Sequence, residues 1–111
     1  MKFIFDENKI SEANIQAELY HELRLLNIPA YLQYRIDDCV FDMIILDKKK
    51  ENIIAIVEVK SWSKNGKPKI NGKQYEKYIA YGLPLIYCGG FEYIPTTISA
   101  IINIYNGSNG D

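Results

Sequence analysis

Three residues stand out for the chemistry their types and spacing allow. Asp42 interrupts Phe41-Asp42-Met43-Ile44-Ile45-Leu46, and Glu58 and Lys60 close the apolar run Ile53-Ile54-Ala55-Ile56-Val57-Glu58-Val59-Lys60. A lone charge inside such a run is costly to bury unless it is paired or bound to a metal. Residues two apart in a strand share a face, so Ile54, Ile56, Glu58 and Lys60 are expected on one side and Ile53, Ala55, Val57 and Val59 on the other. An antiparallel hairpin with its tip near Lys48 to Glu51 brings about residue 41 or 42 opposite Glu58. Two carboxylates beside a backbone carbonyl, that of Val59, form an oxygen-rich site of the kind Mg²⁺ takes while keeping waters, and Mn²⁺ is expected to substitute. Such an ion orients a phosphate oxygen and generates hydroxide, while Lys60 holds or deprotonates the attacking water or stabilises charge building on the phosphate. The plain alternative is structural, because acid-to-lysine pairs two residues apart also occur on exposed strand ends.

The elements that must position these residues can be read from periodicity. From Ser11 to Asn27 the pattern is helical, with Ser11 as cap, Ile15, Leu19, Leu23 and Leu26 on one stripe, and Pro29 as the stop. Ala30 to Ile36 reads as a strand, Asp37-Asp38 as a turn, Val40 to Leu46 as a second strand and Ile53 to Lys60 as a third. A loop rich in Lys, Asn and Gly runs from Ser61 to Gly72, followed by a short helix from Lys73 to Tyr81 and a fourth strand from Leu85 to Cys88. Pro95 and two threonines open a last helix whose Ile98, Ile101, Ile102 and Tyr105 share a face. The expected fold is α/β: helix, three strands, helix, strand, then a C-terminal helix, with a mixed central sheet flanked by helices. Short connections make the first three strands antiparallel neighbours, and the helix from Lys73 is a crossover to a strand that pairs in parallel.

Composition bounds the rest. With 111 residues, 48% of them hydrophobic, the chain is expected to be one soluble domain over residues 1–105 with a flexible tail at 106–111. The apolar runs fall far short of the roughly 20 residues that span a bilayer, and Met1 to Lys9 lack a long apolar signal region, so a cytoplasmic, intracellular protein without a membrane partner is expected. Two cysteines in apolar surroundings and one histidine make neither a disulfide framework nor a zinc site. His21 falls on the outer side of the first helix. The 13 basic and 14 acidic residues cancel almost fully, which at first argues against a nucleic-acid partner. The balance is uneven, however: residues 60–77 hold six lysines against the single Glu76, a charge of +5, leaving −6 for the rest of a chain whose total is −1.

Asp42 followed by Glu58-Val59-Lys60 at the end of an apolar strand resembles the D...ExK signature of the PD-(D/E)XK nuclease superfamily, whose shared core is helix, three strands, helix, strand. Ser11-Glu12 and Ile15-Gln16, then Glu58-Val59-Lys60-Ser61 and Lys73-Gln74, resemble in particular the small VRR-NUC type of nuclease module and its relatives, including archaeal Holliday-junction resolvases. The likeness covers about Ser11 to Gly89 and lies in the order and setting of short motifs. Phe41 stands where the motif's name has proline, a position that varies within the superfamily.

The resemblance implies a restriction-endonuclease-like core and a Mg²⁺-dependent DNA endonuclease in which Asp42 and Glu58 hold the metal and Lys60 is catalytic. It also implies a glutamate from the first helix. Glu18 flanks the buried stripe and matches the resolvase pattern, whereas Glu12 matches the VRR-NUC pattern; Glu18 is favoured, and either could instead be a solvated helix carboxylate. Gln74 resembles a glutamine near the metal and the phosphate. The loop lysines, Lys64, Lys67, Lys69 and Lys73, are placed to hold a nucleic-acid backbone, with Trp62 offering a base or sugar contact. A domain this small cannot enclose a duplex, so a homodimer or a place in a larger nuclease assembly is expected, with the C-terminal helix around Ile98, Ile102 and Tyr105 as the candidate dimer surface. The rival reading keeps the fold as a catalytically inactive DNA-binding or protein-interaction module.

Overall fold

The computed structural model describes residues 7–60 and 81–108, with side chains described from Glu12 onward. The first helix, α1, spans Glu7–Leu25. It starts earlier than the sequence pattern suggests, so Ser11 lies inside it rather than capping it. Its end is a Schellman closure: Asn27 takes a left-handed φ of 60°, its N–H donates to the Arg24 carbonyl, and the Ile28 N–H reaches the Leu23 carbonyl at 3.0 Å. The usual apolar contact of that motif is supplied by Leu23 and Ile28, both buried. Ile15 and Leu19 continue the stripe as expected, but Leu26 does not, because the closing turn carries it off the buried face and leaves it 52% exposed.

The strands are β1 (Ala30–Ile36), β2 (Cys39–Leu46), β3 (Ile53–Val59) and β4 (Leu85–Cys88). They form one mixed sheet in the order β1-β2-β3-β4. The two hairpin-linked pairs are antiparallel and β4 lies parallel to β3, with Glu58 beside Tyr87 and Val59 beside Cys88. The expected helix from Lys73 falls outside the described residues, apart from Tyr81 in a turn. A 3₁₀ turn at Phe91–Tyr93 leads into α2, Ile94–Gly107, with Pro in its first turn. That helix runs past the expected start of the tail at residue 106. No helix of the described residues is long and apolar enough to cross a membrane.

Two clusters sandwich the sheet. On one face Met43, Ile45, Ala55, Val57 and Val59 pack beneath α1 and α2. Ile98, Ile102 and Tyr105, expected as a dimer surface, are half-buried and pack in part against that same core. On the other face Phe41, Ile44 and Ile56 gather with Tyr81, Leu83 and Leu85. Cys39 and Cys88 are free and buried, and His21 is exposed, as anticipated.

The hairpin tip holds a feature that the run Lys48 to Lys50 hides. Asp47, only 5% exposed, accepts the Glu51 N–H at 2.9 Å, the Asn52 N–H at 3.4 Å and the Asn52 side-chain amide at 3.0 Å. These donors, the Glu51 N–H first, hold its carboxyl below the usual aspartate value. Between β2 and β3 the ladder slips at Ile45/Leu46. Ile53 therefore packs with the second cluster and Ile54 with the first, against the simple alternation expected there.

Candidate metal centre

Register brings the two acids together. Met43 faces Val57 and Ile44 faces Ile56, so continuing the ladder by one rung sets Asp42 against Glu58, as the position of the hairpin tip suggested. The two residues are cross-linked through the backbone. The Asp42 N–H donates to Glu58 Oε1 at 3.3 Å, and the Val59 N–H donates to Asp42 Oδ2 at 2.9 Å. Each carboxylate is thus pinned by the other strand's main chain, which fixes side chains that would otherwise rotate freely. Glu58 is 3% exposed, whereas Asp42 is half-buried, so the pair opens to solvent on the Asp42 side.

Val59, expected to offer its carbonyl, is seen to contribute its N–H to Asp42. In a strand the N–H and C=O of one residue face the same neighbour, so the Val59 carbonyl also turns toward β2. Two carboxylates and a carbonyl at one rung are hard oxygen donors, the set that suits Mg²⁺ or Mn²⁺. No group of three or more Asp, Glu, His or Cys side chains placed for a metal occurs among the described residues, so a divalent ion here would complete its shell with water or phosphate oxygens. Lys60 follows directly after β3: it is half-buried, and its N–H donates to the Cys88 carbonyl at 3.0 Å.

The first-helix acids separate. Glu18 is exposed and lines a groove of about 460 Å³ with Glu22, Leu26, Phe91, Ile94, Pro95 and Ile98, a set that includes neither Asp42 nor Glu58. Glu12 is half-buried and lies one turn before Gln16, whose side-chain oxygen accepts the Gln33 amide at 3.1 Å. Because α1 returns to the sheet at Ala30, its earlier turns lie over the later part of β1, where Gln33 stands one strand from Asp42. The two acids thus lie on different sides of α1, Glu12 on the side of the Gln16–Gln33 contact and Glu18 on the groove beside Phe91 and Ile94. Gln74, Trp62, Lys64, Lys67, Lys69 and Lys73 lie outside the described residues.

Sequence reasoning missed Gln33, which opposes Asp42 with a φ of 50°. Between Leu32 and Tyr34, Gln33 gave no sign of a left-handed backbone. Comparison of the chain with protein-family models, with curated proteins and with solved structures returns no match in any of the three.

Proposed function

We propose that this chain is a metal-dependent nuclease of the PD-(D/E)XK kind, with a restriction-endonuclease-like core, that hydrolyses DNA phosphodiester bonds as an endonuclease. The observation that carries this reading is the reciprocal pinning of Asp42 and Glu58 across β2 and β3, with Lys60 following directly after the end of β3. The order helix, three strands, parallel fourth strand supports it.

Asp42, Glu58 and the Val59 carbonyl would hold Mg²⁺, or Mn²⁺ in its place, which supplies a Lewis acid and an acidified water. The protein's own residues do the rest. Glu58, fixed by the Asp42 N–H, and Asp42, fixed by the Val59 N–H, keep two negative oxygens at one point without spending side-chain entropy on binding. Lys60 stabilises charge building on the phosphate, or takes the proton of the attacking water. Glu12 or Glu18 assists from α1, and Gln74 positions the phosphate. The excess of +5 over residues 60–77 holds the DNA backbone through Lys64, Lys67, Lys69 and Lys73, with Trp62 adding a stacking contact. A homodimer, or membership of a larger nuclease assembly, lets so small a domain address both strands.

The test is cleavage of linear, branched and single-stranded DNA with Mg²⁺ or Mn²⁺, run beside Asp42→Ala and Lys60→Ala. Metal-dependent cutting that both substitutions abolish supports the enzyme. Binding without cutting under every metal condition supports the inactive DNA-binding module instead.

A further inference from the structure

The β1–β2 ladder changes faces at a single rung. Leu32 pairs with Met43 and Tyr34 with Phe41, and the rung between them, Gln33 against Asp42, is unpaired. Gln33 has φ 50° there, in the left-handed region that disfavours a side chain. On one side of this rung Leu32 and Met43 pack into the core beneath the helices. On the other, Ile36, Cys39 and Phe41 pack into the opposite cluster. Phe41 and Met43 are two apart and both fully buried, so a regular strand would place them on the same face. Their burial in opposite clusters requires β2 to turn at Asp42, and that turn directs the Asp42 carboxylate sideways onto the β3 backbone, where it meets the Val59 N–H at 2.9 Å. The Gln33 amide donates to Gln16 Oε1 at 3.1 Å, tying the turned rung to α1.

We infer that Gln33, held by Gln16, is a positioning residue for Asp42: its left-handed backbone switches the ladder's faces and aims the Asp42 carboxylate at the Val59 N–H. Strain kept in one rung of a sheet is held only where the surroundings over-determine it, and here it sits beside the paired acids. The metal-affinity consequence rests on the reading of Asp42 and Glu58 as a metal centre; the hydrogen-bond consequence does not.

The experiment measures two quantities on wild type, Gln33→Gly, Gln33→Val and Gln16→Ala: amide hydrogen exchange by NMR and Mn²⁺ affinity by titration calorimetry. Glycine accepts a positive φ freely, so Gln33→Gly, which loses the Gln16 contact but not the backbone turn, raises Val59 exchange no more than Gln16→Ala does. Valine resists it, and in Gln33→Val the Val59 amide exchanges at least about tenfold faster while the Ile56 amide, which donates to Pro84 at 2.9 Å, stays protected as an internal control. Mn²⁺ binding weakens in Gln33→Val by about 10- to 100-fold, the usual effect of losing a residue that orients a ligand. Gln16→Ala shifts both quantities in the same direction by less. Unchanged Val59 protection in folded Gln33→Val overturns the inference; if that variant does not fold, unchanged protection in Gln16→Ala does so. If wild type binds no Mn²⁺, the metal reading fails, while the Val59 amide still decides the positioning role.

Discussion

Replacing Asp42 separates two tasks that its carboxylate performs. As an acceptor it satisfies the Val59 N–H at 2.9 Å, a main-chain donor of a residue only 2% exposed. As a charge it stands beside Glu58, whose oxygen takes the Asp42 N–H. Asp42→Ala removes both and leaves a buried donor unpaired, which costs about 1 to 3 kcal/mol. Asp42→Asn keeps an acceptor oxygen and removes a like charge from a buried acid, so its stability is expected to equal or exceed that of wild type. For a domain of this size the difference corresponds to about 4 to 12 °C in Tm, with alanine the lower. Metal adds a second axis: at 100 times its Kd an ion stabilises wild type by about 2.7 kcal/mol, and both variants should lose most of that gain. Calorimetric melting of the three proteins with EDTA and with Mn²⁺ is the assay. If the asparagine variant melts as low as the alanine variant without metal, the acceptor role is wrong; if either keeps the full metal-induced rise, the charge role is wrong.

Other consequences follow from the same contacts. Phe41 is fully buried and meets Tyr81 edge to face at 6.0 Å, so Phe41→Ala should cost about 3 to 5 kcal/mol in urea unfolding; a loss below about 1 kcal/mol would show that the second cluster is not a packed core. Asp47 has a lowered carboxyl pKa, so its stabilisation is present above the unfolded value and is lost as pH falls through the folded one. The Tm gap between wild type and Asp47→Ala should be full at pH 7 and narrow below about pH 3.9, and a gap constant to pH 2 would contradict this. The Tyr81 hydroxyl donates to Asp37 Oδ2 at 2.9 Å, and that hydrogen bond raises its pKa. Its contribution is present below the ordinary tyrosine value and is lost as pH rises through the raised one. Tyr81→Phe should therefore lower Tm at pH 7, and the gap should close above about pH 10; a gap unchanged across that range would refute the link.

What could be read in advance followed from local rules. Leu19 and Leu23 betrayed the buried stripe of α1 by spacing, and the polar tip between two apolar runs put residue 41 or 42 opposite Glu58, because hairpin register is counted from the turn. The end of α1 was misplaced because Asn27, not Pro29, turns the chain, which also freed Leu26. The helical wheel favoured Glu18 because it flanks the stripe, but a wheel shows only which face is buried and not which element packs on each side of it, so the α2 groove beside Glu18 was not foreseeable. The face switch at Gln33 was illegible because alternation assumes an unbroken ladder, and the slip at Ile45/Leu46 defeated the same assumption. Asp47 was not singled out by the sequence, because the donors that surround it, from Glu51 and Asn52, converge only once the turn has formed.

The most direct test of the metal centre is the anomalous difference map of a crystal soaked in Mn²⁺. One strong peak is expected between the Asp42 and Glu58 carboxylates, in direct contact with an oxygen of each, and none in an Asp42→Asn crystal treated identically. A map empty at that rung, with Mn²⁺ bound elsewhere or nowhere, would contradict that expectation.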